Sequence, residues 1–182
     1  DNPSLSQSVK DRYKSLYSGA FYERFIEGKW VTAQGLVYPM FSPERHIKKC
    51  KGKFNRFYLS CDYGTVNPFS LGLWGECDGK WFRLDEYYYS GRDNGIQLTD
   101  EEYYRELEKL AENREITALI IDPSAASFIQ TVLRHGKFRV VKANNDVLTG
   151  INRVCQALKD EEIFIYPACT DAIREFSIYR WD

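Results

Sequence analysis

The sequence predicts an α/β domain in which a mixed sheet carries helices on both faces. Three short apolar segments separated by turn residues come first, and segments with helical periodicity then alternate with further strands. Strands joined by short turns pair antiparallel, whereas strands reached through a helix return parallel. Apolar residues make up 43% of the 182-residue chain, which is enough for a sizeable core.

Residues 6–28 precede this sheet and show two short helical patterns, each of which ends at a glycine. The segment is polar and aromatic, so we interpret it as a linker or docking arm. We place the boundary so that residues 1–40 form the arm and residues 41–182 form the main domain. No apolar run is long enough to cross a membrane, and the first residues lack the pattern of a signal peptide.

The first three strands are predicted at 57–61, 69–74 and 81–89. Asn67-Pro68 separates the first two, and the turn residues 77–79 join the second to the third as antiparallel neighbours. Residues 91–95 are predicted as a loop.

The remaining segments form β-α units. A capping box of Thr99 and Glu102 begins a helix, after which strands are predicted at 118–121, 138–141 and 163–166. The helices between and after them are predicted at 123–134, at 147–159 and from a Thr170 cap onward. The apolar faces that we expect these helices to bury comprise Tyr103, Leu107, Leu110, Ala111, Phe128, Ile129, Val132, Leu133, Leu148, Ile151, Cys155, Leu158, Ile173, Phe176 and Tyr179.

Charge is unevenly distributed, although the formal net charge is only −1. Two segments, 43–56 and 134–142, are strongly basic and can follow a phosphate backbone. The structural alternative for 43–56 is a solvated surface loop. The candidate nucleic-acid contacts are Lys48, Lys49, Lys51, Lys53, Arg56, Arg134, Lys137, Arg139 and Lys142. Five cysteines without a CxxC motif predict free, mostly buried thiols in a reducing cytosol.

Two aspartates occupy equivalent places, because Asp62 follows the first predicted strand and Asp122 follows the fourth. Ligands bind at the carboxyl ends of strands in open α/β sheets. If the two strands are neighbours, the carboxylates converge and favour a cation between them. Oxygen ligands suit Mg²⁺ or Mn²⁺, and two such ions can hold the attacking and leaving oxygens of a phosphodiester.

Structural alternatives exist for each acid. Asp122 followed by Pro123 is a good helix start, and Asp62 can belong to a turn before Gly64. Asp85 and Glu86 lie toward the far end of the third strand, and only one of them can face the site because strand side chains alternate. Their structural alternative is a pair of acids on an edge strand.

Several motifs, in their order and spacing, resemble one known family. Residues 61–65 with Asn67-Pro68 resemble its first acidic motif, and residues 121–127 resemble its second. Residues 85–88 resemble its third strand, and residues 150–151 and 175–181 also fit the family. The stretch that precedes the sheet is similar at residues 1–5, 17–24, 27–30 and 35–38. The chain thus resembles, over nearly its whole length, the C-terminal nuclease domain of the large terminase subunit of tailed bacteriophages.

The resemblance implies an RNase H-like fold and a two-metal-ion endonuclease that cuts concatemeric viral double-stranded DNA during genome packaging. Asp62 and Asp122 would be catalytic and would bind two divalent cations, Mg²⁺ or Mn²⁺. Residues 1–40 would lead from an ATPase domain. The implied partners are double-stranded DNA, that ATPase domain, the portal and the small terminase subunit, in the host cell cytoplasm and without a membrane.

The family usually supplies a third acid from a C-terminal helix beyond a Tyr-x-Trp segment. Here Asp182 directly follows Trp181, so we expect that ligand to be missing and the activity to be weak. Two other functions remain open. One is another RNase H-like nuclease of the resolvase or transposase type, and the other is a non-catalytic DNA-binding or docking module of the packaging motor.

Overall fold

A six-stranded sheet forms the centre of the molecule, with the strand order β5-β4-β1-β2-β3-β6. The computed structural model describes residues 35–64 and 67–181, so the arm helices predicted within 6–28 lie outside the described residues. Strand β2 is antiparallel to both of its neighbours, and the other pairs are parallel. The strands are β1 Arg56–Asp62, β2 Phe69–Cys77, β3 Lys80–Tyr89, β4 Ile116–Ile121, β5 Val140–Lys142 and β6 Ile163–Ile165.

Helices lie on both sides of this sheet, as the sequence predicted. They are α1 Pro43–His46, α2 Gly91–Asn94, α3 Asp100–Ala111, α4 Ala126–His135, α5 Val147–Lys159 and α6 Thr170–Ile178. The short helix α2 replaces the predicted loop, because Ser90 caps it and Gly95, at φ 69°, ends it. None of the described helices has the length and apolarity that a membrane span requires.

The main core lies between one face of the sheet and helices α3 and α4. The predicted capping box at Thr99 and Glu102 begins α3. The rings of Phe69 and Tyr103 stack at 3.9 Å between centroids, and Phe128 of α4 meets Phe69 edge-on. These buried rings hold both helices against the strands that lead to the site.

Helices α5 and α6 pack elsewhere on the sheet and on the chain that precedes it. Helix α6 contacts β3, and its Ala172 is buried against Ile165 of β6. Ile151 and Cys155 of α5 enclose Val37, whose N–H donates to the Tyr179 carbonyl at 2.8 Å. The residues just before α1 are therefore part of this folded unit.

Several expectations about helix faces and termini are wrong. Leu133 is 52% exposed and Leu148 is 40% exposed, because both lie beside the contact stripe of their helix rather than within it. Tyr179, 47% exposed, follows the end of α6. Helix α4 begins at Ala126 rather than at residue 123. All five cysteines are free thiols, as predicted, and only Cys50 is partly accessible.

Candidate active site

Asp62 and Asp122 lie side by side at the carboxyl edge of the sheet. Strands β1 and β4 are parallel neighbours, and Cys61 is paired with Ile121. The two aspartates follow these paired positions, and adjacent strands are only about 4.8 Å apart. The neighbour relation that the sequence argument required is therefore present.

The neighbouring residue fixes the direction in which Asp62 leaves the strand. The ring of Tyr63 stacks on Phe128 with centroids 5.6 Å apart, and its hydroxyl donates to Asp100 Oδ1 at 2.7 Å. Gly64 comes next, and a Cβ there would collide with the backbone oxygen of Asn67. This close approach of Asn67 requires glycine at position 64.

Asp122 belongs to a turn and does not cap α4. Its Oδ1 accepts the backbone N–H of Ser124 at 2.7 Å, and its carbonyl accepts the N–H of Ala125 at 3.1 Å. The N-cap of α4 is Ala125, which makes no side-chain cap bond. The alternative that Asp122 begins the helix is therefore wrong.

The two carboxylates have different proton affinities. The side chain and N–H of Ser124 donate to Asp122, and these hydrogen bonds hold its pKa below the ordinary value. For Asp62, partial withdrawal from water raises the pKa, and the negative charge of Asp122 raises it further. Asp122 consequently ionises first, and its charge opposes ionisation of Asp62.

A cavity of about 410 Å³ opens beside Asp62 on the face of the sheet that carries α6. Strands β2 and β3 contribute Ser70, Arg83 and Glu86 to its lining, whereas Asp122 does not line it. Glu86 is the inward-facing member of the predicted acidic pair, and Asp85 is exposed. Strand β6 pairs only with Trp81–Arg83, so at Asp85 and Glu86 strand β3 has only β2 beside it among the described strands. The edge-strand alternative therefore fits the exposed Asp85 but not the buried side chain of Glu86.

Helix α6 forms the opposite side of this cavity with Asp171, Glu175 and Phe176. Arg174 joins the two acids, because it lies 2.7 Å from Asp171 and 3.1 Å from Glu175. Much of their charge is therefore balanced on the helix itself. Helix α6 and Arg83 are parts of the site that the sequence did not predict, because regular strand alternation places Arg83 on the face opposite Glu86.

The predicted basic residues do not share one surface. Lys142 ends β5 and is paired with Ile121, so it lies at the same edge of the sheet as the two aspartates. Arg56 begins β1 and is therefore about 20 Å away at the opposite edge, where it pairs with Glu76. Lys48 and Lys137 are engaged by Glu161 and Glu108. Five further candidates take part in none of these ion pairs, and none of them ends β5 as Lys142 does. They are Lys49, Lys51, Lys53, Arg134 and Arg139.

The donor chemistry of the pair suits a hard divalent cation. Two carboxylates offer oxygen ligands only, and Mg²⁺ is commonly held by one or two carboxylates together with water and phosphate oxygens. Across residues 35–64 and 67–181, no three His, Cys, Asp or Glu side chains are grouped closely enough to bind a metal by themselves. His46 is engaged by Ser42 and by the Leu158 carbonyl, which leaves it no free ring nitrogen for zinc.

Comparison with solved structures decides the fold. A large terminase from a thermophilic bacteriophage is 46% identical, with a TM-score of 0.82, over 100% of this chain and 47% of that chain. The P22 large terminase nuclease domain is 13% identical, with a TM-score of 0.63, over 81% of this chain and 80% of that domain.

The fold is that of a large-terminase nuclease domain.

The RNase H-like architecture and the resemblance to terminases are thereby confirmed. The curated terminase large subunit of Escherichia phage T5 is 19% identical over 191 residues, which comprise 100% of this chain and 42% of that protein. The terminase-like chain thus spans less than half the length of the full-length relatives that it matches. No family model matches it. The large terminase nuclease of the thermophilic phage G20c, with a TM-score of 0.56 and 10% identity over 81% of each chain, was crystallised with bound cobalt.

Proposed function

We propose that this chain is the nuclease part of a DNA-packaging terminase and that it hydrolyses phosphodiester bonds of double-stranded viral DNA. One observation carries the proposal: Asp62 and Asp122 follow register-paired residues of adjacent parallel strands, in a fold shared with terminase nuclease domains. The cobalt bound by the G20c nuclease supports a divalent cofactor for this fold.

Asp62 and Asp122 would together hold two divalent cations, which would be either Mg²⁺ or Mn²⁺. When bound, the cations supply an activated water and stabilise the leaving oxygen. Asp122 is suited to remain a carboxylate, because the Ser124 hydrogen bonds keep its pKa low. The negative charge of Asp122 contributes to the raised pKa of Asp62, and a cation bound between the two carboxylates would relieve this repulsion.

Cutting is expected to be largely independent of sequence. Phosphate contacts position a duplex but carry no base information. The pairing of Lys142 with Ile121, the residue before Asp122, supports a phosphate contact at Lys142. We propose that it contacts the DNA backbone close to the cut, whereas any DNA contact of Arg56 lies at a distance from it.

The remaining assignments follow from the proposed role in packaging. Residues 1–40 would connect an ATPase domain to the nuclease domain at 41–182, and Val37 lies where this connection meets α5 and the end of α6. The substrate would be concatemeric DNA in the host cytoplasm. The portal and the small terminase subunit would be further partners of the motor.

Plasmid cleavage in Mn²⁺, in Mg²⁺ and in EDTA tests the proposal. We expect the unaltered chain to nick or linearise plasmid only with a divalent cation. Asp62→Asn and Asp122→Asn should each lower the rate of plasmid cleavage by more than about 100-fold. Replacing a residue that only supports a metal ligand typically costs about 10- to 100-fold. Asp78→Asn is the matched control, because Asp78 lies in the turn between β2 and β3 at the opposite edge of the sheet.

Two results would contradict the proposal. If Asp62→Asn cleaves plasmid as fast as the unaltered chain, Asp62 takes no part in the reaction. DNA binding without cleavage in any metal, unaltered by Asp62→Asn, would identify a DNA-binding module instead.

A further inference from the structure

Arg83 and Glu86 form a largely buried ion pair beside the candidate active site. Their charged groups are 3.2 Å apart, and their side chains are 13% and 6% exposed. Residues three apart on a regular strand point to opposite faces. Here the register with β2 shifts between Leu73 and Trp74, and this bulge brings both side chains to one face.

Glu86 caps the last helix from a distant strand. Its Oε1 accepts the N–H of Asp171 at 2.7 Å, and its Oε2 accepts the N–H of Ala172 at 3.2 Å. The N-cap residue Cys169 makes no side-chain cap bond, and the cap predicted at Thr170 is wrong. A carboxylate is the favoured partner for the unpaired N–H groups of a first helical turn. Glu86 therefore holds the start of α6 against the sheet.

Arg83 is confined on the other side of this carboxylate. Its Nη2 donates to the Leu71 carbonyl at 3.3 Å, and the guanidinium lies 5.6 Å from the Trp74 ring centre. Gly72 leaves room for it, because a Cβ there would lie 2.8 Å from Nη1. Its Nε is buried without a hydrogen-bond partner among the described residues. Burying a guanidinium with an unpaired N–H costs free energy. We therefore interpret Arg83 as a partner that orients the Glu86 carboxylate.

We infer that Glu86 and Arg83 are positioning residues. They hold α6 in the place where it forms the wall of the cavity opposite Asp62. The inference rests on the proposed function, since it assumes that the chemistry takes place at Asp62. Asp171, Glu175 and Phe176 of α6 line the same cavity as Asp62 and depend on the first turn being docked. Reaction rates are sensitive to displacements of about 1 Å in such a site.

Glu86→Gln tests the inference, with Glu76→Gln as a matched control. Glu76 is also buried, pairs with an arginine (Arg56) and accepts a backbone N–H (Gly79, 3.2 Å), but it lies at the opposite edge of the sheet. The first readout is amide hydrogen exchange of Asp171 and Ala172. We expect Glu86→Gln to speed it about tenfold or more, since hydrogen bonds to charged groups are worth that much in an equilibrium constant. Glu76→Gln should leave it unchanged.

The second readout is steady-state plasmid cleavage in Mn²⁺. We expect Glu86→Gln to lower kcat about tenfold with little change in KM for DNA, because the cavity side moves while the DNA contacts remain. Glu76→Gln should cleave like the unaltered chain. Arg83→Lys keeps the charge but loses the planar fork, and it should show a smaller effect in the same direction. It also serves as the test if Glu86→Gln does not fold.

Each result supports or overturns the inference. Faster exchange with an unchanged kcat would make the pair merely structural, and a lower kcat with unchanged exchange would give Glu86 a direct role. If Glu86→Gln and Glu76→Gln lower kcat equally, the loss would reflect general destabilisation of the fold and would overturn the positioning role. If the unaltered chain cleaves nothing in Mn²⁺, the proposed function fails, and the positioning role fails with it even where exchange shows that α6 is anchored by Glu86.

Discussion

Asp122 acts on Asp62 across two adjacent parallel strands, because its negative charge raises the pKa of the Asp62 carboxyl group. Partial loss of solvation makes the larger contribution to that rise. Asp122 itself is kept ionised by hydrogen bonds from Ser124. The pair is therefore asymmetric before any ligand binds, and its asymmetry can be measured.

Replacing Asp122 by asparagine is expected to lower the pKa of Asp62, since the opposing charge disappears while the solvation of Asp62 changes little. Carbon-detected NMR titration of the aspartate carboxyl groups in metal-free buffer measures this shift. Asp78→Asn serves as control, because Asp78 lies at the opposite edge of the sheet, and it should leave the pKa of Asp62 unchanged. A pKa of Asp62 that is equal in both variants would show that the charge of Asp122 does not reach it.

Asp62→Asn is expected to raise the melting temperature at pH 7. A carboxyl group whose folded pKa is raised binds its proton more tightly when folded, so its ionised form opposes folding above that pKa. The difference should vanish as the pH falls below the ordinary value of 3.8, where Asp62 is protonated in both states. Thermal unfolding of the variant and the unaltered chain at pH 7 and near pH 3 measures the difference in melting temperature at each pH.

Asp122→Asn should have the opposite effect on stability. Its lowered pKa contributes stability that is present above 3.8 and is lost as the pH falls through the folded value. The variant should therefore melt at a lower temperature at pH 7. A shift of the same sign for both aspartate variants would contradict the assigned directions.

Gly72→Ala is expected to destabilise the fold by about 1–3 kcal/mol, because overpacking forces neighbouring groups to move. The new Cβ would lie 2.8 Å from Arg83 Nη1 and 2.9 Å from Ser60 Oγ. Gly150→Ala in α5 meets no atom within 4 Å and should instead stabilise by about 0.5–1 kcal/mol through helix propensity. Urea unfolding compares the two, and equal effects would refute the steric explanation.

Phe128→Ala should cost about 3–5 kcal/mol in the free energy of unfolding, as large-to-small changes in a packed core do. Its ring is fully buried between Tyr63 and Phe69. Leu133, on the same helix, is 52% exposed, and Leu133→Ala should change stability by no more than about 0.5 kcal/mol. Comparable losses would show that Leu133 is buried after all.

Lys142→Ala is expected to reduce the salt dependence of DNA binding, with a change of about 0.9 in the log–log slope if one phosphate contact is lost. Fluorescence anisotropy at several salt concentrations measures the slope. Lys53→Ala is the comparison, because Lys53 precedes the start of β1 at the other edge of the sheet. A slope that changes only in Lys53→Ala would place the DNA on that opposite edge.

Strand positions and the aspartate pair were predictable because they depend on local signals. Apolar runs, turn residues and the alternation of strands and helices located β1, β4 and the residues that follow them. The pairing of Arg83 with Glu86 was not predictable, because it depends on a bulge that changes strand alternation. The cap on α6 comes from a residue far away in the chain, so the local sequence pointed to Thr170 instead.

The order of strand pairing has a consequence for how the site assembles. Strands β1, β2 and β3 are joined by short connections and can pair while the chain is still folding locally. Strand β4 must return past α2 and α3 before it can lie parallel to β1, and such non-local pairing is intrinsically slow. The two carboxylates therefore become neighbours only through this non-local pairing, so the paired site forms no earlier than the contact between β1 and β4.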